Sequence, residues 1–155
     1  MQNDFPKQLI KGKIAELIFD QMFREEGKYT IIPFGYESIV PELRQYAGGT
    51  EGNILENIRN APDFALVVHD PKEVLLVEVK YRTNVNYHEI RDVSRDICQK
   101  WKLAWIFIAS PDGFYFNKCN DLATEATDLT PLNLEWISRE RQDYYKALLG
   151  EFINK

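Results

Sequence analysis

In the stretch "APDFALVVHDPKEVLLVEVKYR", residues 61–82, Asp63, Glu78 and Lys80 stand in or beside runs of Val, Leu and Phe. An ionised group buried without a partner costs several kcal/mol, so two carboxylates and an ammonium in such company need a shared reason. Two carboxylates placed close together repel unless a cation lies between them. Lys80 compensates one charge, and an all-oxygen pocket of this kind is what Mg²⁺ prefers, with one or two carboxylates, waters and often a substrate phosphate around it. Water held beside such an ion and a lysine ammonium is set up to attack a phosphodiester. The ion lowers the water's pKa and neutralises charge on the phosphorus oxygens.

The elements that position these groups are legible around them. The stretch reads as two strands joined by a tight turn, "HDPKE", with Asp70 and Pro71 suited to positions i and i+1 of a type I turn. Strand side chains alternate between faces, so Glu78 and Lys80 share one face and Val79 points to the other. If Asp70 pairs with Glu73, Asp63 lies opposite Lys80 and one diagonal step from Glu78. If His69 pairs with Lys72, Asp63 lies opposite Glu78, with β-carbons roughly 5 Å apart. Either register leaves all three on one face. A one-residue slip would separate them, but it would also flip Phe64, Leu66 and Val68 relative to Leu75, Val77 and Val79.

Ahead of the hairpin, residues 11–27 read as a helix with Ala15, Ile18, Phe19, Met22 and Phe23 in one apolar stripe and Gly27 as the stop. Glu16 falls at the border of that stripe, where it can complete a metal shell. Gly12, one turn earlier, is expected to let the helix approach the sheet closely, at a cost in helix propensity. Residues 28–37 read as a strand bent at Pro33, and 38–61, with Gly48, Gly49 and Gly52, as an insertion. A helix over 86–101 carries Ile90, Val93, Ile97 and Trp101 on one side. Strands follow at 103–110 and 114–119, then a polar loop over 120–132. A last helix over 139–153 turns Tyr145, Leu148, Leu149, Phe152 and Ile153 inward. The order helix, three strands, helix, two strands, helix makes an α/β sandwich around a mixed sheet, one domain spanning 1–155.

Composition narrows the classes. Hydrophobic residues at 45% and charged residues at 28% are globular rather than disordered proportions. The longest apolar run, Leu103 to Ala109, is too short for a bilayer, and no signal peptide is visible, so no membrane partner is expected. Cys98 and Cys119 lack CxxC spacing and read as thiols in a reducing cytoplasm rather than zinc ligands. The net charge of −5 weighs against a nucleic-acid partner without excluding a local basic face.

"GKIAE" (12–16), "PD" (62–63) and "EVK" (78–80), in helix–strand–strand order, resemble the PD-(D/E)xK nuclease superfamily, the restriction-endonuclease-like fold. "GKIAELIFDQMFREEGKYTII" is similar to the first helix and strand of archaeal-type Holliday junction resolvases, with Gly and then Glu four residues on. The resemblance covers roughly residues 10–119. It implies an αβββαβ core and Mg²⁺-dependent hydrolysis of DNA, with Mn²⁺ as a substitute and 5′-phosphate ends as products, in repair, recombination or defence. Asp63, Glu78 and the Val79 carbonyl are then metal ligands, Lys80 orients the water and stabilises charge, and Glu16 is an auxiliary ligand or a residue that supports the ligands from behind. It also implies dimerisation or a targeting subunit, with the 38–61 insertion and the last helix as candidate contacts.

Further candidates surround this set. Arg82, Arg91 and Arg95, with Gln99, could line a phosphate-contacting face, or be a solvated helix side laced with Asp92 and Asp96. Tyr81, Tyr87, Trp101 and Trp105 could stack on bases, though aromatics beside apolar strands are more often core. His69 and His88 are lone histidines, Glu37 has no assigned place, and Arg59, just before "APD", is a further phosphate-contact candidate. In the plainest alternative, Asp63 and Lys80 form a cross-strand ion pair with Glu78 partly solvated beyond the sheet edge, and Glu16, taken alone, is a solvated helix residue. Two further classes remain open: a non-catalytic DNA- or protein-binding module, and a protein–protein component whose charges are structural.

Overall fold

Phe5–Glu25 form helix α1, with Pro6 in the first turn, where its missing N–H costs nothing, and Gly27 beyond its end at φ 77°. α1 therefore begins two turns earlier than the apolar periodicity indicates. The structure, a computed structural model, describes residues 4–34 and 61–153. Strands β1 (Tyr29–Pro33), β2 (Phe64–Val68) and β3 (Glu73–Tyr81) follow, then α2 (Tyr87–Lys100), β4 (Trp105–Ser110), β5 (Gly113–Lys118), α3 (Cys119–Ala123) and α4 (Arg139–Ile153).

The five strands lie in the order β1-β2-β3-β4-β5, all neighbours antiparallel except the parallel pair β3 and β4, which α2 connects. Alternation on β3 sorts the two faces. Leu75, Val77, Val79 and Tyr81 pack with Phe19 and Phe23 of α1, Tyr145 and Leu149 of α4, and Phe107 and Phe116 of the neighbouring strands. Ile106 and Ile108 face the other way, onto Ile90 of α2 and Leu122 of α3. The mixed sheet is thus flanked by helices on both faces. Each large apolar side chain fully buried there contributes roughly 1.5–3 kcal/mol.

Several expectations are corrected. The pairing of Val68 with Glu73 centres the turn on Asp70 and Pro71, with a cis peptide between them, so Asp70 is not position i of a type I turn. The 120–132 segment opens with α3, because Cys119 and Leu122 are buried against α2. On α4, Phe152 points outward at 59% exposure while Tyr145 and Leu149 are buried. The predicted insertion at 38–61 lies outside the described residues apart from Ala61.

Candidate active site

The register realised is the one in which Val68 faces Glu73 and Phe64 faces Val77. Continued by one residue, it sets Asp63 opposite Glu78. Asp63 lies just ahead of β2, and its carbonyl accepts from the Phe34 N–H at 2.9 Å. Its carboxylate turns into the sheet plane, where Oδ2 accepts from the Val79 N–H at 2.8 Å. Continued by two residues, the register sets Pro62 opposite Val79. A proline nitrogen has no hydrogen to give, so the Val79 carbonyl receives no ladder bond from that position. The dipeptide Pro62-Asp63 thus ends strand pairing, places a carboxylate in the gap and leaves a carbonyl oxygen beside it. Spacing alone had not assigned Pro62 this part, although its signal, a proline opposite the residue between Glu78 and Lys80, is in the sequence.

Glu16 comes to the same point from α1. Glu16 and Asp63 share a hydrogen bond, as do Asp63 and Glu78, so the three carboxyl groups are joined in series. Burial, followed by the charge of Asp63 and the shared proton, pushes the Glu16 carboxyl up to about 7, against the opposing pull of Lys13 at 3.3 Å. Burial, then the charge of Glu78, raises Asp63 to about 6. Glu78 is raised by burial too, although Lys80 Nζ, 3.4 Å from its carboxylate, works the other way. Three acids held this close in a half-buried place cannot all stay ionised unless a proton or another cation offsets their charge.

The predicted basic residues are not gathered there. Arg82 forks onto Glu89, with a second contact at 3.2 Å, and donates to the Tyr81 carbonyl at 2.8 Å, tying the end of β3 to the first turn of α2. Arg91 pairs with Glu125 at 2.9 Å and lies over the Tyr87 ring. Arg95 reaches the Ala123 carbonyl at 3.3 Å, Asp92 at 3.4 Å and Glu125 at 3.6 Å. These arginines fasten α2 to α3 and the turn after it. Tyr81 is buried in the core, Trp105 packs on Phe116 and Trp136, and Tyr87 donates to the Thr127 carbonyl at 3.0 Å. Trp101 meets Phe34 edge to face. His69 Nε2 bonds Thr30 Oγ1 at 2.8 Å, and His88 is exposed. Glu37 and Arg59 lie outside the described residues. Gly12 does not serve close packing: among the described residues, a β-carbon there would meet nothing within 4 Å beyond its own stretch of helix.

Among the described residues, no group of three or more His, Cys, Asp or Glu is arranged to hold a metal ion. Glu16, Asp63 and Glu78 face one another instead. The donor chemistry is nevertheless that of a hard divalent cation, carboxylate oxygens beside a carbonyl, and it offers neither thiolate nor imidazole. No family model matches the chain, and no curated protein matches it in sequence.

Proposed function

We propose that the chain is a metal-dependent nuclease that hydrolyses DNA phosphodiester bonds, as its resemblance to the PD-(D/E)xK superfamily implies. The observation that carries this reading is the convergence of Glu16, Asp63 and Glu78, from a helix and two strands, beside Lys80. Among the described residues, the run of elements from α1 to β4 is αβββαβ, in keeping with the core that the resemblance implies. So many mutually repelling acids at one half-buried point are poorly explained by a single cross-strand ion pair.

In this reading Asp63, Glu78 and the Val79 carbonyl hold Mg²⁺ or Mn²⁺, with Glu16 as an auxiliary ligand. Bound there, the ion supplies Lewis acidity that makes water a better nucleophile and offsets charge on the phosphate. Lys80 orients the attacking water and stabilises negative charge on phosphorus oxygens. Water adds to phosphorus in line, the bond to the 3′-oxygen breaks, and a 5′-phosphate end is left. A second reading, a binding module without turnover, is favoured by the serial hydrogen bonding of the carboxylates. Labelled single-stranded, duplex, flap and four-way-junction DNA, and RNA, incubated with Mg²⁺ or Mn²⁺, distinguish the two. Cutting that disappears in Asp63→Ala and Lys80→Ala supports the nuclease. Binding of these substrates with no cutting of any of them supports the module.

A further inference from the structure

The two cysteines lie on elements that pack on each other, and the side-chain contacts between those elements align them. Arg91 pairs with Glu125 at 2.9 Å, and Arg95, one turn further along α2, reaches the Ala123 carbonyl at 3.3 Å. The partners of successive α2 turns therefore run back along the chain, so α2 lies antiparallel to the 119–125 stretch and its last turns come level with Cys119. Ser94, fully buried, brings its hydroxyl close to the Cys119 thiol. Cys98 follows Ser94 at i+4 on the same side of the helix, a spacing that sets β-carbons roughly 5–6 Å apart. It packs against the apolar cluster to which Cys119 belongs. The Cys119 thiol is pushed up to about 12, first by burial, then by the charge of Cys98 and after that by the charge of Glu78. Two free thiols thus stand together behind the candidate site, and they differ in access. Cys119 has no exposed surface, whereas Cys98 is half-buried, its thiol donating to the Arg95 carbonyl at 3.6 Å.

We propose that Cys98 and Cys119 are a reversible dithiol–disulfide pair, which exchanges with a low-molecular-weight disulfide such as oxidised glutathione and, when closed, fastens α2 to the start of α3. Cys98 reacts first because solvent reaches it. Its thiolate attacks one sulfur of the small disulfide, that S–S bond breaks, and one small thiol leaves with the proton that Cys98 gave up. Cys119 then gives up its proton and attacks Cys98 Sγ, and the second small thiol leaves with that proton. Both protein thiols are oxidised, and the small disulfide is reduced to two thiols. Burial keeps Cys119 inert to reagents arriving from solvent, while its high proton affinity makes the thiolate, once formed, a strong nucleophile towards a neighbour already in place. The pair is independent of the nuclease reading, since neither thiol is among the residues assigned to metal or substrate.

The test is incubation of the full chain, as wild type, Cys98→Ser and Cys119→Ala, in glutathione buffers from reduced to largely oxidised, followed by rapid alkylation and intact-mass measurement. The oxidised wild type is expected to lose the mass of two hydrogens and both alkylation sites, to yield a digest peptide joining positions 98 and 119, and to recover both thiols in reductant. Cys119→Ala is expected to stop at one bound glutathione, and Cys98→Ser to stay unmodified. Closing the loop between the two positions restricts the unfolded chain, so Tm of the oxidised wild type should rise by about 5 °C or more and fall back in reductant. A wild type that keeps two alkylatable thiols in the oxidised buffer, stops at a glutathione adduct on Cys98, or links two copies of the chain would overturn the pair. A linked chain whose Tm does not rise overturns the fastening of α2. Should either variant prove unfolded by circular dichroism, the wild-type masses decide alone.

Discussion

Asp63 makes the candidate site more than a cluster of acids, because one oxygen is fixed by the Val79 N–H at 2.8 Å while the carboxyl group also meets Glu16 and Glu78. Its replacement by Asn keeps the shape and removes the charge, and Lys80→Met does the same for the ammonium. Each is expected to lower kcat by about a hundredfold or more, the usual scale for a group that stabilises developing charge. Far-ultraviolet circular dichroism of the same samples should be unchanged. The proton held by Glu16 gives a second expectation. Its carboxyl binds a proton with pKa about 7 in the fold, against an ordinary 4.5, and Asp63 is raised in the same direction by burial and Glu78. The folded state therefore holds more protons than the unfolded one between these values, so stability is fully present below about 4.5 and is lost as pH rises through about 7. Metal-free protein should melt higher at about pH 5 than at about pH 8, and Glu16→Gln should flatten that difference. Melting curves showing equal or rising stability towards alkaline pH in the wild type would contradict the shared proton.

At the scale of elements, much of the fold was legible because its signals are local. The stripe Ala15, Ile18, Phe19, Met22 and Phe23 was read from spacing alone, and those are the residues α1 buries. Alternation on β3 likewise put Glu78 and Lys80 on one face, and the realised register puts Asp63 opposite Glu78, one of the two pairings the apolar pattern allowed. What could not be read depends on tertiary partners. α3 forms from a polar stretch because Cys119 and Leu122 find α2. The spacing of Arg91 and Arg95 suggested a phosphate face, but Glu125, on a separate element and at φ 61°, takes both. The first turns of α1 were not legible from a buried stripe, since residues 4–10 are all exposed. Where pattern and packing agree, truncation should be costly. Phe19 has no exposed surface and meets Phe23, Phe64 and Phe107 at ring-centroid distances of 4.6, 5.2 and 5.1 Å. Phe19→Ala should lose about 3–5 kcal/mol in urea denaturation, whereas Phe152→Ala, on the exposed side of α4, should lose under about 0.5 kcal/mol.

For the whole molecule, the site is a place where the fold opposes itself: α1 and the central hairpin can dock fully only if three carboxyl groups share protons or a cation. Folding stability, pH and divalent metal should therefore be linked through one set of oxygens. Metal ligands must be deprotonated, so under the proposed reading a divalent ion would compete with the protons held by Glu16 and Asp63 and bind more tightly as pH rises. An ion that binds only the folded state raises stability by about 2.7 kcal/mol at about a hundredfold excess over Kd, which for a chain of 155 residues corresponds to several degrees in Tm. Mn²⁺ should accordingly raise Tm by several degrees at about pH 8 and much less at about pH 5.5, reversing the stability order of the metal-free protein. Asp63→Asn should abolish the increment, because it removes the carboxylate that joins α1 to the hairpin. Scanning calorimetry at the two pH values, with and without Mn²⁺, checks this without a substrate. An increment that is independent of pH, or one that survives in Asp63→Asn, would place the ion elsewhere on the chain and leave the three acids a purely structural cluster.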